Sequence, residues 1–426
     1  MEFIKSAASI TYKIFSQTVY LLSLYYLILS FFGIIKFKEK KDYKKIKKFA
    51  VIVAAHNEKN VIRDAVNSLN ILDYPKDKYD VYVIADNCDD NTAEIAKDAG
   101  AIVYERREPN LRGKGFALEW MFAKLFKLDK TYDAVVIFDA DNLVSGNFLT
   151  QMNNKLCQGF KVVQGFLDSK NPEDTWITGC YSISFWSSNR MFQLSRSNLK
   201  LSNQLGGTGF AIDTEILKKL GWGATCLTED LEFTCKLVLN GYKVGWAHNA
   251  RVYDEKPLTL KQSWNQRKRW MQGFADVYSR YFFKLIKKGI KDLDFKAIDC
   301  AIYSIQPVVL ILFSLSALFG YAASIGNSYK ILIHLSTYIS QFKMNFDLMS
   351  IALVLVVILQ YIYTPFLLIL DKRLNFKIFI YYLIYPFFAL TWLPICIQGI
   401  IHKNDKEWNH TKHTRSIDIS DIEKAN

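Results

Sequence analysis

Hydrophobic and polar positions along the chain follow three regimes. In the first, short β-branched or aromatic runs alternate with stretches of helical spacing. Phe49–Ala55, Tyr79–Ala85, Ala101–Tyr104 and Ala134–Phe138 read as buried strands. Between them, residues 59–72 carry apolar side chains at Val61, Ile62, Ala65, Val66 and Leu69, the period of a helix. Thr92–Ala99 continues as a second helix that Gly100 ends, and Phe116–Leu128 as a third. This alternation predicts an α/β fold with a mostly parallel sheet covered on both faces. In such sheets the ligand lies beyond the carboxyl ends of the strands. Three expected strand ends are polar: His56-Asn57-Glu58, Asp86 through Asn91, and Asp139-Ala140-Asp141.

The second regime is aromatic, glycine-containing and basic. Trp176–Leu199 reads as a helix, either an ordinary one or one lining a groove or a membrane surface. Leu205–Phe210 is a glycine-rich turn that lets backbone approach a ligand closely. Thr225–Asp230 opens a helix running to about Asn240, with Thr228 or Asp230 as a plain N-cap in the simplest reading. Trp246–Tyr253 is a last strand. From Leu258 to about Asp294 the chain is amphipathic and basic around Gln266-Arg267-Lys268-Arg269-Trp270, which suits helices in a membrane interface.

The third regime is unbroken apolar sequence. Gln17–Ile35 is near the length of a spanning helix, and Ile302–Ala323, Leu348–Leu370 and Ile378–Ile401 follow the basic region. Pro307, Pro365, Pro386 and Pro394 interrupt these later runs, which membrane helices tolerate when neighbours re-satisfy the backbone. The dense basic stretch Lys36–Lys48 places the following domain on the cytoplasmic side. Three later spans would then put the tail outside, yet Lys403, Lys406, Lys412 and Arg415 favour the inside. A last segment bent or re-entrant at Pro386 and Pro394 would remove the conflict. The expected division is a membrane helix and basic linker (1–48), a cytoplasmic domain (49–255), amphipathic interface helices (256–298), a membrane region (299–401) and a polar tail (402–426). The implied location is the cell membrane, multi-pass.

Composition sharpens this division. Half of the 426 residues are apolar, the aggregate of a soluble part and a membrane part. The net charge of +13 suits nucleic acid, anionic lipid or a phosphorylated substrate, but Lys36–Lys48 supplies much of it and no nucleic acid is needed. Seven cysteines without a CxxC pair fit free thiols in a reducing compartment, and six scattered histidines offer no zinc cluster.

Asp139 and Asp141 carry the most pointed chemistry. Residues i and i+2 of a strand share a face. Two acids so placed cost several kcal/mol unless a cation sits between them. A divalent metal holding a phosphate is the simplest such cation; a surface Asp-x-Asp turn is the plain alternative.

In order, His56-Asn-Glu58, Asp86-Asn-Cys-Asp89, Gly113-Lys-Gly115, Asp139-Ala-Asp141, Thr228-Glu-Asp230 and Gln266-x-x-Arg269-Trp270 resemble the motifs of membrane-bound family 2 glycosyltransferases. The branch resembled contains cellulose, chitin, hyaluronan and exopolysaccharide synthases, and the resemblance covers roughly Phe49 to Trp270. It implies a nucleotide-diphospho-sugar transferase (GT-A, Rossmann-like) domain, a UDP-sugar donor (UDP-N-acetylglucosamine or UDP-glucose) and Mg²⁺ or Mn²⁺. Under it, Asp86 accepts the uracil imide, and Glu58 and Lys114 contact substrate, Lys114 at the diphosphate or the uracil. Asp141 binds the metal with Asp139 in support through the metal or the ribose. Arg269 grips the leaving diphosphate, Trp270 stacks the acceptor sugar, Gln266 contacts substrate, and Asp230 is the general base beside Glu229. His56 is expected to be structural. The implied acceptor is a growing polysaccharide, with export through the chain's own helices; a lipid taking a single sugar is the alternative. Membrane lipids and accessory export or regulatory subunits are the other implied partners. A non-catalytic scaffold or transporter with a degenerate domain is the reading from another class.

Overall fold

The structure is a computed structural model that describes residues 2–37, 45–223, 226–316, 318, 361–405 and 413–425. The first four strands are β1 (Phe49–Ala55), β2 (Tyr79–Asp86), β3 (Ile102–Arg106) and β4 (Ala134–Asp139). They pair in parallel, β3 on β2, β2 on β1 and β1 on β4. β5 (Leu143–Val144), β6 (Val162–Ser169), β7 (Phe210–Asp213) and β8 (Val244–Asp254) complete an eight-stranded sheet in the order β3-β2-β1-β4-β7-β6-β8-β5. The sheet is mixed, because β7 runs antiparallel to both β4 and β6. That turn-back is where the simple strand–helix alternation ends.

Strand alternation divides the core. Val51 and Val53 face one layer with Ile62, Val66 and Leu69 of α2 (Ile62–Asn70). Ala50 and Ile52 face the other with Ala117, Leu118 and Met121 of α4 (Lys114–Leu125). α3 (Thr92–Asp98) and α5 (Phe148–Cys157) are the other helices of this part. The order reverses between β1 and β4, so the chain crosses over there and leaves a crevice at the carboxyl ends of these two strands. His56–Glu58 and Asp139–Asp141 both emerge at that crevice.

α6 (Trp176–Ser188) continues through a π-helical stretch, Asn189–Leu194, into α7 (Ser195–Asn198). α8 (Thr214–Leu220) and α9 (Glu229–Leu239) lie between β7 and β8 in sequence. α10 (Leu260–Lys291) is one long amphipathic helix, started by a reciprocal cap between Thr259 and Gln262. α11 (Phe295–Ser304) packs beside it and meets α12 (Gln306–Ser316) at a 64° bend.

Among the described residues, two helices are long and apolar enough to cross a membrane, Ile14–Phe31 within α1 (Glu2–Phe31) and Phe376–Ile401. The runs expected at Ile302–Ala323 and Leu348–Leu370 lie partly outside the described residues; α13 (Tyr361–Leu370) is the described end of the second. The last apolar stretch breaks at Thr391 into α14 (Phe376–Leu390) and α15 (Trp392–Ile401). Both of its ends are fastened to the preceding domain. Asp371 pairs with Arg190 at 2.6 Å, and Asn375 donates to Glu173 at 2.6 Å. At the far end Trp264 donates to Gln398 at 2.9 Å, and Gln272 to the His402 carbonyl at 2.9 Å. α16 (Ile419–Ala425) then buries Ile419 and Ile422 against Leu143 and Tyr253.

Candidate active site

Asp139 is the last residue of β4, and Lys114 reaches it from the first turn of α4 at 2.5 Å. The same ammonium donates to the Gly207 carbonyl at 2.7 Å, tying the glycine-rich turn to the strand end. Gly207 has φ of +81°, which a side chain would strain, and a Cβ there would lie 3.7 Å from Asp230 Oδ2. Asp230 is thus across the turn from Asp139. Its Oδ1 takes the Leu231 amide at 2.8 Å. Thr228 is the N-cap of α9 but makes no side-chain cap bond, so neither Thr228 nor Asp230 is a plain cap.

Burial pushes the Asp230 carboxyl up, against the Leu231 amide and the Lys114 charge, and Asp139 adds to the rise. Glu229 is raised by burial and by the Asp230 charge. Arg269, on α10, is lowered by burial and supported by the charges of Glu229 and Asp139. The charges of Lys114, Asp139, Glu229 and Asp230 therefore act on one another, and that of Arg269 on Glu229 and Asp139. Close packing fixes α10 there: a Cβ on Gly273 would lie 2.4 Å from Thr228 Oγ1.

Asp141 behaves differently from Asp139. The strand stops at Asp139, so strand alternation does not carry to Asp141 and the two acids take different partners. Asp141 is buried, with the Glu255 amide on Oδ2 at 2.8 Å and the Asn142 side chain on Oδ1 at 3.1 Å. Burial works to raise it, but His413 and Lys170 hold it below the ordinary carboxylate range. His413 comes from the tail, and its Nδ1 contacts Glu58 Oε1 at 2.9 Å. Burial would lower this imidazole, yet Asp141 and Glu58 push it up to about 9.

Asp86 ends β2, two strands from β4, about 10 Å across the sheet. His56 Nδ1 lies 2.7 Å from its carbonyl oxygen, a structural contact at the same strand end. Gln266 accepts from the Tyr181 hydroxyl at 2.9 Å. Trp270 packs edge-on against Tyr181, with ring centroids 6.1 Å apart, and near Phe185 at 6.2 Å.

The match to the glycosyltransferase like family 2 model spans residues 47–273, more than half of the chain, strands and α10 motif included. The chain belongs to this family. Its fold is that of the GT-A nucleotide-sugar transferases. The mannosyltransferase PcManGT of Pyrobaculum calidifontis, solved with GDP-Man and Mn²⁺, superposes with a TM-score of 0.59. The superposition covers 92% of this chain and 97% of that one at 18% identity, a likeness of fold. The β-monoglucosyldiacylglycerol synthase of Trichormus variabilis is 28% identical over 56% of this chain and 51% of its own length. The poly-β-1,6-N-acetyl-D-glucosamine synthase of Staphylococcus epidermidis (strain RP62A) is 26% identical over 58% of this chain and 60% of its own. The chain thus spans between half and two thirds of the length of these curated relatives.

Among the described residues no three His, Cys, Asp or Glu side chains already surround a common point. The donor chemistry fits a hard divalent cation nonetheless. Such ions bind through one or two carboxylates and keep water and phosphate oxygens for the rest. A histidine whose other nitrogen faces a carboxylate, as His413 faces Glu58, is the usual oriented ligand. Sequence reasoning assigned no role to His413, Arg106 or Glu255. His413 lies 272 positions after Asp141 with no local motif to mark it, and only the return of the tail joins them.

Proposed function

We propose that the transferase moves a hexose from a UDP-sugar to an acceptor hydroxyl by single in-line displacement, turning an α-linked donor into a β-linked product. One observation carries this reading: Lys114 pairs with Asp139 at the end of β4 and bonds the Gly207 carbonyl, in the turn that Asp230 approaches, while Arg269 acts on the charges of Glu229 and Asp139. Asp230 takes the proton from the acceptor hydroxyl as that oxygen attacks the anomeric carbon. The bond to the diphosphate breaks, and its electron pair leaves with UDP. Arg269 faces the charge that accumulates on the departing phosphate. Lys114 neutralises Asp139 and holds the Gly207 turn against the strand end. Asp141, with His413 and Asp139, would hold Mg²⁺ or Mn²⁺, which supplies charge neutralisation for the leaving diphosphate. Glu58 orients His413, and Asp86 meets the uracil.

The acceptor is a growing polysaccharide in this reading. Trp270, Phe185 and Tyr385 are half-buried around the buried Tyr181 and Phe388 where α6, α10 and α14 meet, giving apolar ring surface on which sugar rings can stack. The relative that makes poly-β-1,6-N-acetyl-D-glucosamine is consistent with it. A lipid acceptor taking one sugar is the second reading. It is favoured by the exposed apolar faces of α14 and α15 (Phe387 and Ile401) beside the site, and by the diacylglycerol relative. In both, the helices of residues 14–31 and 376–401 seat the enzyme in the cell membrane with the sheet domain in the cytoplasm.

The test supplies purified enzyme with a panel of UDP-sugars and Mg²⁺ or Mn²⁺, then measures released UDP and product length. UDP release with a lengthening product is expected. Single additions would replace the polymer reading by the lipid one, and no release from any UDP-sugar would refute both.

A further inference from the structure

The nucleotide base would meet Asp86, and this carboxylate is not symmetric. Its Oδ1 receives Arg106 Nη1 at 2.5 Å and Asn87 Nδ2 at 2.9 Å. The Asn87 orientation is fixed from the other end, because its Oδ1 takes the Glu108 amide at 2.8 Å. Arg106 is buried at 2% exposure and is held by a second bond, from Nη2 to the Leu111 carbonyl at 2.9 Å. Two donors fill the lone pairs of Oδ1. Asp86 Oδ2 accepts no hydrogen bond among the described residues.

Uracil and guanine ask different things of such a group. The Watson–Crick edge of uracil offers one N–H, at N3, between two carbonyl oxygens. Guanine offers two parallel donors, N1–H and N2–H, which match a carboxylate with both oxygens open. An acid with one oxygen filled satisfies the first base and leaves the second with an unpaired donor. An unpaired donor in a closed site costs more than a missing contact. The positive charge of Arg112 also acts on Asp86, beside a base whose carbonyls flank its imide.

We propose that Arg106 and Asn87, by occupying Oδ1 of Asp86, make this site select uridine over guanosine nucleotides. The selection rests on the reading above that Asp86 faces the base. The GT-A fold alone does not decide it, since the superposed mannosyltransferase was solved with GDP-Man. Arg106 acts as a specificity-determining residue through Asp86, and Asn87 is its second arm.

The test is calorimetric binding of UDP and of GDP, each with Mn²⁺, to the full-length purified enzyme and to Arg106→Gln and Asn87→Ala. Wild-type enzyme is expected to bind UDP on the order of 10–100-fold more tightly than GDP, the ratio that one unpaired donor produces. Each substitution is expected to narrow that ratio, with the melting temperature reporting whether the fold is kept. Equal binding of UDP and GDP by the wild type overturns the proposal while leaving the transferase reading in place. So does a ratio unchanged in a folded Asn87→Ala enzyme, which serves if Arg106→Gln does not fold. Binding of neither nucleotide to the wild type overturns the transferase reading and this inference with it.

Discussion

The docked tail offers the sharpest structural prediction. Ile419 and Ile422 are 4% and 6% exposed, packed on Leu143 and Tyr253. Upstream, the Thr414 and Arg415 amides donate to the Glu255 carboxylate at 3.2 and 3.0 Å, and Ser416 donates to Asp64 at 2.5 Å. These polar contacts are exposed or half-buried and contribute little each, so beside the His413–Glu58 contact the two isoleucines should hold the tail down. Truncating an isoleucine to alanine deletes three buried carbons, about 2.4 kcal/mol at ~0.8 kcal/mol per methylene. The double variant Ile419→Ala/Ile422→Ala should then weaken docking by roughly 5 kcal/mol at most, an upper bound of about a few thousandfold. Hydrogen exchange followed by mass spectrometry reads this directly. Amides of residues 413–425 should lose their protection while those of β1 and β4 keep theirs. Because His413 leaves Glu58 with the tail, kcat/KM for the UDP-sugar should fall in parallel. Tail amides that stay protected would refute the packing argument, and full activity with a released tail would refute a role for His413.

Other expectations follow from the same geometry. Asp230→Asn should lower kcat by about 10²–10⁴, the usual worth of a general base, with UDP affinity unchanged. The pH profile of kcat carries the sign of the Asp230 shift. A base works ionised, so the rate should rise with pH through a carboxyl held above its ordinary range by burial; a limb in the ordinary aspartate range would contradict it. Gly273→Ala places a methyl 2.4 Å from Thr228 Oγ1 and 2.5 Å from its Cγ2. It should cost about 1–3 kcal/mol by overpacking and slow turnover by shifting the adjacent Glu229-Asp230 pair. Thr228→Ala in the same chain should recover part of both, read from thermal melts and steady-state rates.

The strands and the crevice were legible in the sequence because local periodicity and strand ends carry that information. Phe49–Ala55 and Tyr79–Ala85 form as expected, and β3 begins one residue later than expected and extends to Arg106. That small shift matters, since it brings Arg106 beside Asp86. The antiparallel β7 was not legible, because the four residues Phe210–Asp213 have no period of their own to show direction. Nor was the separation of Asp139 from Asp141, which follows from where β4 stops rather than from spacing. The clustering of Lys114, Glu229 and Arg269 around Asp139 required the resemblance to a family, because charges far apart in sequence show no periodicity. His413 and Glu255 stayed hidden for the same reason. The conflict over the side of the tail was visible in its lysines.

The central claim is that acids from distant parts of the chain grip one nucleotide diphosphate. Titration of UDP into wild type, Asp86→Asn and Asp141→Asn, with and without Mn²⁺, tests it most directly. The account predicts metal-dependent binding at a single site, weakened by either substitution, with the Mn²⁺ dependence lost in Asp141→Asn alone. UDP binding that ignores Mn²⁺, or that survives both substitutions intact, would contradict it.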